Sequence, residues 1–89
     1  MRIPLIKFGE FLMSRPSGHE AAQIMTGSYA PANESETIEL DFEGVFATGP
    51  SWLHEVVIGL QSVFPKNKIV VLDRGNNSVL ESLKFIDLK

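Results

Sequence analysis

The sequence predicts an α/β fold: a single small domain over residues 1–89, with a mixed, mainly parallel sheet, helices packed on it, and the order β(β)-α-β-α-β-α. Three observations carry this expectation. Apolar residues alternate from Thr37 to Val45, then recur at helical spacing from Pro50 onward. Lys68-Ile69-Val70-Val71-Leu72-Asp73 is a short continuous apolar run, the pattern of a central parallel strand covered on both faces. The connections are only a few residues long, which suits a layered βαβ arrangement with right-handed crossovers.

The segment from Ile3 to Leu12 is rich in β-formers but carries Pro4 and Gly9. It reads as one short edge strand, or as two strands turning at Gly9-Glu10. Ser17-Gly18-His19-Glu20 has the form of a capping box behind Pro16, and predicts a helix to about Ser28. Ala21, Ile24, Met25 and Ser28 give that helix a small apolar face suited to close packing on a sheet. A polar loop from Ala30 to Ser35 follows. In the strand Thr37 to Val45, Ile38, Leu40 and Phe42 point one way, and Glu39, Asp41 and Glu43 point toward a wetter face.

Thr48-Gly49-Pro50-Ser51 then opens a helix on which Leu53, Val56, Val57, Leu60, Val63 and Phe64 form the apolar stripe. Pro50 fits the first helical turn, where a missing N–H costs nothing, and Pro65-Lys66-Asn67 ends the helix. After the Lys68–Asp73 strand comes a turn at Arg74-Gly75-Asn76-Asn77. Ser78 and Glu81 then predict a second capping box ahead of Val79, Leu83 and Ile86.

Composition narrows the function. The formal net charge is −3, from 8 Lys plus Arg against 11 Asp plus Glu, which disfavours nucleic acid and anionic membranes as partners. There is no cysteine, so disulfides, thiolate metal sites and cysteine nucleophiles are excluded. Eighty-nine residues leave no room for a buried cofactor, and none is expected. The N-terminal Met1–Phe8 is too short and too charged for a leader or a membrane span, so a cytoplasmic protein is expected.

His19 and His54 each precede a glutamate, but Ile58 stands where a zinc-protease helix would place its second histidine. Asp41 and Glu43 share a strand face without the further oxygens a cation needs, so no metal site is expected. Arg15 reads as a partner for Asp41 or Glu43, or for a phosphate on another protein. Arg74-Gly75-Asn76-Asn77-Ser78 looks like a small anion loop, without the length and lysine of a P-loop. Trp52 is either an exposed interface anchor or a core residue at the end of the sheet.

The informative stretch is Ile38 to Leu53, because a strand-to-helix junction presents unpaired N–H groups and the positive end of a helix dipole. Leu40-Asp41-Phe42-Glu43-Gly44-Val45, the polar turn, and Ser51-Trp52-Leu53-His54-Glu55 together resemble the signature of the STAS-like domain of unknown function. That family is related in outline to the sulfate transporter and anti-sigma factor antagonist domain. The resemblance runs from about Phe11-Leu12-Met13-Ser14-Arg15 to Phe85.

It implies a non-enzymatic regulatory module that docks a protein, a histidine-kinase-like ATPase of the anti-sigma type, through residues 48–55. In antagonists of that kind the turn carries a serine phosphorylated by a partner kinase. Here the usual aspartate falls at Gly49 and the usual serine at Pro50, leaving Thr48 and Ser51 as hydroxyls. Thr48, Ser51, Trp52 and Glu55 are therefore the candidate partner-binding or phosphoacceptor residues, with Arg15 and Asp41 in support. A phosphate on Thr48 or Ser51 would place roughly −1.5 to −2 charge beside the helix start; otherwise one of these hydroxyls caps the helix. Two other readings use the same surface: a small-anion or nucleotide binder or enzyme, and a homodimerising structural domain.

Overall fold

The computed structural model describes residues 1–88. In chain order it contains β1 (Arg2–Pro4), a 3-10 turn (Leu5–Phe8), β2 (Phe11–Leu12), α1 (Arg15–Ser28), β3 (Ile38–Asp41), β4 (Ala47–Thr48), α2 (Pro50–Val63), β5 (Ile69–Leu72) and α3 (Asn77–Leu83). The strands form two small sheets, β1-β3-β5 and β2-β4, and every pairing is parallel. The expected α/β class holds. The first segment does contain two strands, but they lie in different sheets, so they make no hairpin. Between them Gly9 turns the chain at φ 128, a region that glycine enters without a Cβ clash.

The alternation in β3 sets the layers. Ile38 and Leu40 face the helices, and with Ile3, Leu5, Met25, Trp52, Leu53, Val56, Leu60 and Ile69 they form one hydrophobic cluster. Glu39 and Asp41 face the other way, beside Arg2 on one neighbour and Val70 and Leu72 on the other. That second face is open, and Val70 and Leu72 remain half-buried. β5 is therefore an edge strand covered on one face, not the central strand its unbroken apolar run suggested. In so small a sheet β3 takes the centre, and a run of apolar residues does not distinguish a central strand from an edge.

α1 packs against α2 more closely than against the sheet. Gly18 lies on the Trp52 backbone and Gly59 on the Cβ of Ala22. The buried residues of α1 are Gly18, Ala21, Ala22 and Met25, whereas Ile24 is half exposed. The stripe is thus rotated toward α2 relative to the sequence expectation.

The helix starts also differ from the capping-box predictions. Ser14, not Ser17, caps α1: its Oγ accepts from the Ser17 N–H at 3.4 Å. Asn76 caps α3 in place of Ser78, accepting from the Ser78 and Val79 N–H groups. Glu81 pairs with Lys84 instead of reaching back. A real Ncap residue needs non-helical backbone, and in both cases a polar residue nearer the preceding strand meets that need first. α3 stops at Leu83, and Ile86 packs on the core from beyond it. The polar loop after α1 is held by buried Asn67, whose Nδ2 donates to the carbonyls of Asn33 and Glu36 at 2.8 Å each.

Candidate functional site

The strand that the sequence extends from Thr37 to Val45 ends at Asp41. Phe42 to Val45 form a turn, with Gly44 at φ 85, and the chain resumes as β4. This break moves the α2 junction into the second sheet, where β4 pairs with β2. Thr48 is buried at 3% exposure. Its hydroxyl donates to the Leu12 carbonyl at 2.9 Å, and its N–H donates to the Ser78 Oγ at 3.0 Å. Gly49 is the Ncap residue of α2 and has no side chain to cap with, so neither Thr48 nor Ser51 caps the helix. Thr48 instead ties the turn to β2 and α3.

Trp52 takes the core alternative and is fully buried. Its position on the first turn aims the indole inward, where Gly18 allows α1 to approach. Ser51, on the same turn, stays half exposed. It lines a cleft of about 320 Å³ together with Arg15, Pro50, His54 and Phe85. Phe85 is 74% exposed at the rim.

Beside the cleft, α1 and α2 begin next to each other and exchange charge. The Arg15 guanidinium donates to Glu55 Oε2 at 2.6 Å and lies 3.4 Å from His54 Nδ1. The other Glu55 oxygen is 3.6 Å from His19 Nδ1. Arg15 therefore pairs with Glu55, not with Asp41 or Glu43 as expected, because the start of α1 lies beside α2 and away from the open sheet face. This puts three predicted residues, Arg15, Ser51 and Glu55, on one surface. Thr48 and Trp52 lie beneath it, and Asp41 is elsewhere. His54 and Phe85 belong to the cleft and are not among the predicted site residues. His54 could be placed from its helical spacing of three from Ser51, whereas nothing local assigns Phe85.

Asp41 is engaged at the C-terminal end of the open face. Arg74, held at φ 56 just past β5, donates through Nε and Nη2 to the two Asp41 oxygens at 2.8 and 2.9 Å. The Glu43 N–H donates to the same carboxylate at 3.0 Å. The Arg74 hydrogen bonds, with the Glu43 amide behind them, hold the Asp41 carboxyl down at about 2 against the cost of burial. The loop after β5 is not an anion cradle: Arg74 is taken by Asp41, the Gly75 N–H by Asp73, and the Ser78 N–H by Asn76.

A carboxyl that is more acidic when folded contributes stability above its unfolded pKa of about 3.9 and loses it as pH falls toward 2. Arg74 is partly exposed, so solvent screens the pair. Asp41→Asn should cost about 1–2 kcal/mol at neutral pH and flatten the loss of stability below about pH 4. Urea titrations at neutral and acid pH check this, and an unchanged acid limb would count against it.

Among the described residues, no three His, Asp or Glu side chains gather to hold a metal ion. No helix among them is long and apolar enough to cross a membrane.

These features define a small parallel α/β domain whose first two helices start side by side at a strand–turn–helix junction. Residues 20–89 match the STAS-like domain of unknown function, and the chain belongs to that family. No curated protein and no solved structure matches the chain.

Proposed function

We propose that the chain is a non-enzymatic, cytoplasmic regulatory module that docks a protein partner, a histidine-kinase-like ATPase of the anti-sigma type, over the start of α2. The observation that carries this reading is the cleft at Ser51. There the accessible hydroxyl of the junction, a basic side chain, a histidine and an exposed aromatic ring share one concave surface. An exposed aromatic beside polar groups is the composition of an interface anchor and its rim. The binding residues are Ser51, Glu55 and Arg15, while Thr48 and Trp52 fix the backbone below them. A small-anion site is less favoured because Glu55 already occupies the Arg15 guanidinium.

If the module is phosphoregulated, Ser51 is the acceptor. Its hydroxyl is accessible, whereas that of Thr48 is buried and committed to Leu12. With a purified ATPase of this type and ATP, phosphopeptide mapping should find phosphate on Ser51 and none on Thr48. Ser51→Glu should weaken binding at least roughly tenfold, about 1.4 kcal/mol. Titration followed by amide chemical shifts should perturb Ser51, His54, Glu55 and Phe85. Shifts confined to the opposite end of the molecule would remove this surface as the interface.

A further inference from the structure

Arg15 is held along one side only. Its Nη1 donates to Glu55 Oε2 at 2.6 Å and lies 3.4 Å from His54 Nδ1. Among the described residues, nothing accepts from its Nε or Nη2 groups. A guanidinium presents its N–H groups as a planar fork, so the unused side can take two oxygens of one phosphate.

Arg15 and Ser51 line the same cleft, which Glu55 does not reach. The Glu55 side chain is 19% exposed against 54% for Arg15. The carboxylate therefore holds the guanidinium from the inner side and leaves its other N–H groups to the cleft. The two residues beside Nη1 are three and four positions after Ser51, and side chains so spaced are neighbours on a helix, about 5–6 Å apart at Cβ. The guanidinium thus stands over the turn of α2 that carries the Ser51 hydroxyl.

We propose that Arg15 is the built-in receptor for a phosphate on Ser51, and that phosphorylation closes the cleft by pinning the start of α1 to the start of α2. This rests on Ser51 being the acceptor in the docking reading above. In the transfer the Ser51 Oγ bonds to the γ-phosphorus of ATP. The bond from that phosphorus to the β–γ bridging oxygen breaks, its electron pair leaves with ADP, and the hydroxyl proton passes to solvent. The product carries roughly −1.5 to −2 charge near pH 7. Its oxygens take the Arg15 Nε and Nη2 groups, while Glu55 keeps Nη1.

A free anion gains little here, because Glu55 already offsets the Arg15 charge. A phosphate tethered on the same helical turn meets the guanidinium at an effective concentration on the order of millimolar, without being drawn from solution. The charged and titratable groups around it are Arg15 and His19 of α1 and His54 and Glu55 of α2, with Asp87, beyond α3, sharing a second cleft with His54. Phosphorylation therefore withdraws two docking features together, the Ser51 hydroxyl and the Arg15 guanidinium.

Phosphoserine incorporated at position 51 of the intact chain tests the pairing without a kinase. By phosphorus NMR, the second ionisation of the phosphate should fall roughly 0.5 of a pH unit lower in the folded chain than in the same chain unfolded in urea. Salt at about 1 M should erase most of that shift. Arg15→Gln should abolish most of it and Arg15→Lys only part, since lysine keeps the charge without the fork. In the wild-type background the Arg15 Nε–H signal should move on phosphorylation, while that of Arg2, bonded to Glu39, should not. The proposal fails if the folded and unfolded midpoints coincide, if folded Arg15→Gln keeps the full shift, or if the Arg15 signal does not move. If the ATPase leaves Ser51 unmodified but the shift is present, the docking reading fails and the pairing stands; if it modifies Ser51 and the shift is absent, the pairing fails and the docking reading stands.

Discussion

Alanine at Gly18 is expected to lower the free energy of unfolding by about 2–4 kcal/mol. A Cβ built there falls 2.5 Å from the Trp52 carbonyl oxygen and 2.8 Å from the Trp52 Cα. Both are backbone atoms of α2, so no side-chain rotation relieves the clash. The helices must separate, and that loosens the contact that buries Ala21, Ala22 and Met25. The better helix propensity of alanine offsets at most about 1 kcal/mol of this.

Gly27, in the same helix, supplies the control. Nothing lies within 4 Å of a Cβ added there, so Gly27→Ala should be neutral or stabilising by up to about 1 kcal/mol. Urea unfolding of the two variants beside the wild type decides the matter. Equal stability of the Gly18 and Gly27 variants would mean that α1 and α2 do not approach as closely as described.

Trp52→Ala should cost about 3–5 kcal/mol, the usual loss when a fully buried aromatic side chain is truncated in a packed core. Trp52 is completely buried among the residues that join α2 to the sheet. A domain of this size has only about 5–15 kcal/mol of total stability, so the variant would be marginally folded. Trp52 is the only tryptophan in the chain, so wild-type fluorescence reports directly on this burial. Its emission should be blue-shifted when folded and move to the red across the urea transition. A red-shifted native emission, or a Trp52→Ala loss below about 1 kcal/mol, would contradict the burial. The same reasoning governs binding experiments: lost partner affinity in Trp52→Ala would report an unfolded site, whereas Ser51→Glu tests the surface itself.

Much of the fold was legible because its signals are local. The helical spacing from Leu53 to Leu60, with Pro50 and Pro65 at its margins, placed α2 almost to the residue. The alternation of Ile38 and Leu40 with Glu39 and Asp41 correctly separated the covered and open faces of β3. The errors fall where one local pattern is compatible with two tertiary settings. Ile69–Leu72 is equally apolar in the middle of a sheet or at its edge. Ser17 has the sequence of a cap, but Ser14 reaches the helix start first. Thr48 precedes a helix and yet donates its hydroxyl to a strand thirty-six residues back in the chain.

The candidate site divides in the same way. The location of the junction, from Thr48 to Glu55, follows from the sequence because a change from period two to period 3.6 marks where a strand gives way to a helix. Which of its side chains reach the surface could not follow, since that depends on what packs against the first turn of α2.

By itself, then, the sequence determined the α/β class, the order of the helices and of every strand but β4, the exclusion of cysteine chemistry, the lack of a basic excess, and the family resemblance along the junction. Only the tertiary structure decided that Arg74 binds Asp41 while Arg15 binds Glu55, that Thr48 and Trp52 are interior and Ser51 accessible, and that β5 lies at the edge of its sheet. The physical reason is one of range. Periodicity and turn chemistry act between residues a few positions apart, whereas ion pairing, burial and strand order depend on elements brought together from thirty or more positions away.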